Sequence, residues 1–214
     1  MCLECRMVSF NGYLIAYICI YLVIVSLKMI IDRINATYLA KYGKKVPADF
    51  QDVIDEEKLK EIIRYTSDNM RFNLVQKSIT KSFFLFIIIS GILPWLVNHL
   101  TNMNFIQAGL IFFAVIGLVE VFAGLPFDYY HTFVIEERHG FNTKTVKIWI
   151  LDLIKSLLVM VVLGGLLLSA LLMMLKYTGR NWWVWAWAVF LCFQLLMTIL
   201  YPTVIEPFFN KFTP

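Results

Sequence analysis

Charge is what this chain has least of. Charged residues fill 16% of its 214 positions, against about 25% in soluble domains. With hydrophobic residues at 60%, an ordinary water-soluble domain is excluded. The net charge of +4 gives no nucleic-acid surface. Histidine is scarce too: His99, His131 and His139 are the whole supply. No two stand four positions apart, so the H-E-x-x-H pairing of two imidazoles with a glutamate base cannot be built. Glu136-x-x-His139 offers one ligand pair, where a di-iron carboxylate site needs two such pairs and two more glutamates. Cys2 and Cys5 form a lone C-x-x-C, short of the four ligands of a tetrahedral zinc site. Cys19 and Cys192 lie in apolar runs, where cysteine acts as a small hydrophobe. There is no G-x-S-x-G elbow, no glycine-rich phosphate loop, no repeat and no low-complexity tract. Gly164-Gly165 falls in an apolar run and reads as a helix-packing position. Ser–His and Cys–His pairs stay open, without a recognisable local signature, and no complete metal ligand set shows in the spacing.

What is there is a series of charge-poor runs, each near the roughly 20 residues that cross a bilayer. Five are legible: Tyr13–Ile31, Ser82–Leu100 with Gly91 and Pro94 inside, Phe105–Phe127 with Glu120 inside, Ser156–Leu175, and Trp182–Ile205. The first is long for a signal sequence and has no small-x-small cleavage pattern after it, so it reads as a retained span. Trp182, Trp183, Trp185 and Trp187 mark one membrane surface, since indole favours the headgroup level. The predicted fold class is all-α: a polytopic membrane protein of about five transmembrane helices plus a cytoplasmic amphipathic helix.

Lysine and arginine set the orientation. They crowd the connection after the first run, from Arg33 to Lys81, and return after the third as Arg138, Lys144, Lys147 and Lys155. The connection after the second run has none, and the one after the fourth has only Lys176 and Arg180. The positive-inside rule puts the first and third connections in the cytoplasm. The N-terminus is then outside and the C-terminus cytoplasmic.

The first connection opens as a loop, KYGKKVP (41–47), punctuated by Gly43 and Pro47. Asp52, Asp55, Glu56 and Glu57 then precede Lys58–Lys81, an order that suits a helix macrodipole. Leu59, Ile62, Ile63, Met70 and Leu74 recur at helical spacing. This is the amphipathic helix, leading into the second span. The last segment, YPTVIEPFFNKFTP (201–214), carries three prolines. The fifth span is expected to fray near Pro202 and give way to an extended segment. With Phe208, Phe209 and Phe212 unpaired, that end reads as incomplete.

Chemistry concentrates in a polar island between two apolar runs, PFDYYHTFVIEERHGFN (126–142). One reading is a solvated connection with weak local ion pairs, in which Gly140 stops a helix and Asn142 caps the next. That accounts for the glycine and asparagine but not for the aromatics, acids and histidines together. Glu120 also reads two ways. It lines a polar chamber, or it sits near a helix end and snorkels or stays protonated.

The island resembles a loop of the type I CAAX prenyl protease family, integral-membrane zinc metalloendopeptidases. YPTVIEPFFNKFTP resembles the segment leading into that family's protease domain. Tyr38–Phe72, with KVPADF, DEEK and YTSDNMRF, is similar to its first cytoplasmic loop. The likeness covers almost the whole chain after Tyr13 and is most specific at ERHGFN. It implies a barrel of membrane helices around a water-filled chamber, where peptide bonds are cut, in many members beside a prenylated cysteine. The family's zinc ligands, H-E-x-x-H and a later glutamate, belong downstream of Pro214. No catalytic or metal residue therefore carries over. Glu136, Glu137, Arg138, His139, Gly140, Phe141 and Asn142 do, as a loop facing the active site, with Glu120 as a candidate chamber-lining residue.

The expectation is that 1–214 forms the N-terminal transmembrane domain of such a metalloprotease, without its zinc-protease domain and inactive alone. The chain binds no cofactor itself; zinc is implied for the complete enzyme. Partners are the lipid bilayer, the missing C-terminal protease domain and a peptide or prenylated peptide, with no nucleic acid. The membrane is the plasma or inner membrane in a bacterium and the endoplasmic reticulum in a eukaryote. The alternatives are a non-catalytic scaffold or gene remnant, and a small transporter built on Glu120 and the broken second span.

Overall fold

A computed structural model describes residues 11–43 and 55–209. Every regular element among them is helical. Five helices are long and apolar enough to cross a membrane: Gly12–Tyr42, Glu56–Ile89, Phe105–Glu136, Val146–Tyr177 and Gly179–Phe209. Almost nothing is dry: Leu100, Ile135 and Leu172 are the buried apolar side chains among the described residues. Large apolar side chains point outward along all five helices, as expected where lipid tails are the solvent.

The described residues fall into two compact units. The first takes in Met1–Asn98 and Val119–Asn142. Helix α1, Gly12–Tyr42, starts where the Asn11 side chain accepts the Leu14 N–H at 2.9 Å. Helix α2, Glu56–Ile89, starts at Asp55, whose carboxylate accepts the Lys58 N–H at 2.7 Å. Such caps satisfy amides that the first turn leaves orphaned. The two helices are tied by a Lys77–Asp32 ion pair at 2.7 Å and by the Tyr21 hydroxyl donating to the Lys81 carbonyl at 2.9 Å.

Two expectations sharpen here and one changes. The polar stretch after Asp55 leads into the apolar stretch after Ser82 without a break, as one helix. The second run does not cross as a unit. It breaks at Ser90–Gly91, where Gly91 takes a left-handed φ of 81°, a conformation only glycine adopts cheaply. A short helix α3, Ile92–Leu100, follows. The polar island is not a connection over most of its length. Helix α4, Phe105–Tyr130, runs straight through Pro126 and continues as a π-helical turn, His131–Glu136.

The second unit takes in His99–Leu118 and Thr143–Pro214. Helix α5, Val146–Val159, is capped by Thr145, whose hydroxyl accepts the Ile148 N–H at 3.4 Å. Thr145, not Asn142, is therefore the cap of this helix. A π turn, Met160–Gly164, joins it to helix α6, Gly165–Tyr177. Helix α7, Trp182–Leu200, packs against α6. Leu172 nests over Gly109, where a Cβ would come within 2.8 Å of Leu172 Cδ1.

The expected extended C-terminal segment is also corrected. Tyr201–Ile205 forms a π turn and Glu206–Phe209 a last helical turn, α8. Pro202 and Pro207 both lie in the opening turn of their elements. Both nevertheless lie inside the continuous helical stretch Gly179–Phe209, where the absent N–H leaves a carbonyl one turn back without its helix bond. Lys155 holds this end down, donating to the Phe208 carbonyl at 2.9 Å with its ammonium over both phenyl rings. Phe212, Lys44–Pro47, Asp52, Cys2 and Cys5 lie outside the described residues.

Candidate functional site

The site grows from one stripe of α2. Tyr65, Asp68, Asn69 and Phe72 follow the i, i+3, i+4, i+7 spacing that puts side chains on one helix face. Opposite them stands the end of α4 with its π turn. A π turn bonds i to i+5 and accommodates one extra residue. Relative to an α-helix it turns everything after it by about 100°. In this turn His131 and Glu136 come together, with Nδ1 and Oε1 3.8 Å apart.

Each rung of the stripe meets a different part of the island. Phe72 stacks on Tyr130 with ring centroids 5.7 Å apart and also touches Phe127 and His131. Asn69 Oδ1 lies 2.7 Å from His131 Nε2. Asp68 takes two partners on one oxygen: His139 Nε2 at 3.1 Å and Arg138 Nη1 at 3.3 Å. Tyr65 donates to Glu136 Oε1 at 3.4 Å and packs edge-on against His139 and Phe141. The His139 side chain is only 9% exposed while that of Arg138 is 49% exposed. Histidine is thus the inner contact and arginine the outer one.

The segment stops sharply after His139. Gly140 has a φ of 72°. Its N–H bonds to the Glu137 carbonyl at 3.1 Å, and the Phe141 N–H bonds to the Glu136 carbonyl at 2.9 Å. This 6→1 and 5→2 pairing is a Schellman stop, so Gly140 ends the helix as the sequence suggests. Asn142 turns back on the same segment and donates to Glu137 Oε2 at 2.8 Å. Of the seven candidate loop residues, Glu136, Arg138, His139 and Phe141 meet α2. Glu137 and Asn142 meet each other, and Gly140 makes the turn. Glu120 lies on α4, exposed and distant in sequence from this cluster.

A cavity of about 470 Å³ opens beside the contact. Its walls are largely apolar, with Phe72 and Val75 from α2 facing Phe127, Tyr130 and Ile135, and its charged groups are Asp68, Arg71 and Arg138. Among the described residues no three His, Cys, Asp or Glu side chains gather closely enough to hold a metal ion. The donor set present here does not fit zinc.

The family model described as CAAX prenyl protease N-terminal, five membrane helices, matches residues 35–211. This chain belongs to that family. A CAAX prenyl protease 1 homolog of Arabidopsis thaliana is 34% identical over 201 residues, covering 87% of this chain and 47% of that protein. One from Oryza sativa subsp. japonica is 32% identical over 209 residues, covering 91% and 49%. Among solved structures, that of S. mikatae Ste24p superposes with a TM-score of 0.82 at 27% identity, over 91% of this chain and 47% of that one. The chain spans about half the length of the curated relatives it matches. It is an N-terminal membrane region of the CAAX prenyl protease kind, and the matched stretch contains the whole contact from Tyr65 to Asn142.

The α2 partners were not singled out as site residues from sequence. The apolar positions Leu59, Ile62, Ile63, Met70 and Leu74 carry the helical periodicity of this stretch. The signal was the polar-aromatic stripe Tyr65, Asp68, Asn69, Phe72 inside YTSDNMRF, at the same periodicity on another face.

Proposed function

We propose that this chain is the N-terminal transmembrane domain of a zinc metalloendopeptidase of the CAAX prenyl protease kind and forms part of its chamber wall. Residues Glu136–Asn142 face the protease machinery in this reading, and Glu120 lines the chamber. The observation that carries it is the locking of Glu136, Arg138 and His139 onto the α2 stripe. A merely solvated connection has no need of a half-buried carboxylate, an imidazole and two aromatic rings holding it to a neighbouring helix. Family membership over 35–211 supports the assignment. The substrate is a peptide, in the prenylated case one bearing a lipidated cysteine. In the complete enzyme a bound zinc would supply the activation of water. The ligands come from residues other than those described here, and this chain's part is to position and enclose.

The same reading places the N-terminus outside and the C-terminus in the cytoplasm, in the endoplasmic reticulum of a eukaryote or the plasma membrane of a bacterium. The lysine and arginine bias supports it.

Two experiments test these statements. The purified chain in lipid nanodiscs is expected to show no chelator-sensitive cleavage of a prenylated peptide. Co-expressed with the C-terminal half of the Arabidopsis relative it is expected to cleave, and His139→Ala should remove most of that activity. Cleavage by the chain alone overturns the reading, as does full activity of the His139→Ala pair. For orientation, single cysteines at Asn102 and Thr143 in a cysteine-free background are probed with an impermeant maleimide. Labelling from outside at Asn102 only is expected; the reverse pattern inverts the topology.

A further inference from the structure

We propose that the cavity between α2 and the end of α4 is a binding site for an anionic phospholipid, with the phosphate on Arg71 and one acyl chain along the apolar wall. Its volume, about 470 Å³, falls in the range of small-molecule sites. Its charge is lopsided. Arg138 is paired with Asp68 at 3.3 Å, so those two cancel. Arg71 is exposed, lines the same cavity and makes no ion pair among the described residues. A guanidinium without an ion pair among the described residues, at the edge of a hydrophobic pocket, complements one phosphate, and its fork geometry suits phosphate oxygens.

The position along α2 fits an amphiphile. Charges crowd Glu56–Arg71 and thin to Lys77 and Lys81 between Phe72 and Ile89. Arg71 is the last charge of the polar half, and Phe72 and Val75 begin the apolar half. A ligand with an anionic head and a hydrocarbon tail matches that boundary, head on Arg71 and tail against Phe72, Val75 and Phe127. A peptide fits less well. The walls are helical, with their backbone amides engaged in helix hydrogen bonds. An extended peptide would find no strand edge to replace the water it gives up. This inference does not depend on proteolysis, and its readout contains none.

The test uses the full chain released from nanodiscs of equal phosphatidylserine and phosphatidylcholine, with retained lipid counted by native mass spectrometry. Retention of phosphatidylserine over phosphatidylcholine is expected. Arg71→Ala should lower that preference about tenfold, the loss of one charged hydrogen bond. Lys60→Ala, a charge change on the same helix away from the cavity, should leave it unchanged. Val75→Trp should fill the space and abolish the preference for phosphatidylserine. Arg71 is exposed and has no ion pair among the described residues, so Arg71→Ala is expected to keep the parent's circular dichroism and thus to read binding alone. The proposal is overturned if wild type shows no preference, if Arg71→Ala and Lys60→Ala lose it equally, or if folded Val75→Trp keeps the preference for phosphatidylserine. Displacement of the lipid by a peptide with a free C-terminal carboxylate, at equal or lower concentration, would assign the cavity to a peptide instead.

Discussion

His139 and Asp68 stand 71 positions apart in the chain, and their side chains meet at 3.1 Å. The imidazole comes from the end of one long helix and the carboxylate from the polar half of another. Asp68 accepts from Arg138 as well. Replacing it leaves a mostly enclosed imidazole without its partner. Asp68→Ala is expected to cost about 1 kcal/mol, and about 2–4 °C in thermal unfolding for a chain of this size. Arg138→Ala should cost less, because its side chain is half exposed. Thermal scans in one fixed detergent check this; equal shifts for the two variants would sink the ranking.

The π turn sets the register of everything after it. Deleting Thr132 should convert the turn to an ordinary α turn and rotate Glu136–His139 by about 100° away from α2. Cysteines placed at Asp68 and His139 in a cysteine-free background should be joined by a short bis-maleimide linker. In the deletion variant the linkage should disappear. Undiminished linkage would show that the extra residue is not what aims these side chains.

Two glycines should respond oppositely to the same change. Gly140 holds a φ of 72° with open space around its Cβ position. Gly140→Ala is therefore expected to destabilise by about 1 kcal/mol through backbone strain alone. Gly117 sits inside α4, also in open space. Gly117→Ala should be neutral or stabilising by up to about 1 kcal/mol, the helix-propensity difference. Unfolding of both variants beside the parent decides it, and a loss at Gly117 matching that at Gly140 would refute the distinction.

The end of the fifth long helix hangs on a single lysine. Lys155→Met removes both the bond to the Phe208 carbonyl and the cation above the Phe208 and Phe209 rings. Amide exchange across Glu206–Phe209 should speed up several-fold while exchange in α7 stays unchanged. Unchanged exchange at both places would mean that the prolines, not Lys155, hold this turn.

The five long apolar runs were legible because lipid-facing helices need no pattern beyond length and missing charge. Their ends were less so. Tyr201–Phe209 was expected to be extended because proline breaks helices, yet the helical stretch Gly179–Phe209 runs on through both prolines, with Lys155 tied to its end. The break at Gly91 was visible as a glycine near a proline, but its consequence was not. A left-handed φ there ends α2 outright rather than bending a span. In the island, Gly140 was readable because a local rule governs it. Asn142 was misassigned as a cap because Thr145, three residues on, obeys the same rule. The pairing of Asp68 with His139 had no local signature, since it depends on two helices meeting and on a π turn that no short motif announces.

Only three apolar side chains are dry among the described residues. Contacts among the described residues therefore supply little of the packing that a soluble domain keeps inside itself, and what surrounds them, lipid or further protein, supplies the rest. Stability in such a molecule is a joint property of chain and surroundings. A melting temperature in one detergent and another in a bilayer measure two different thermodynamic systems, and comparing variants has meaning only inside one of them.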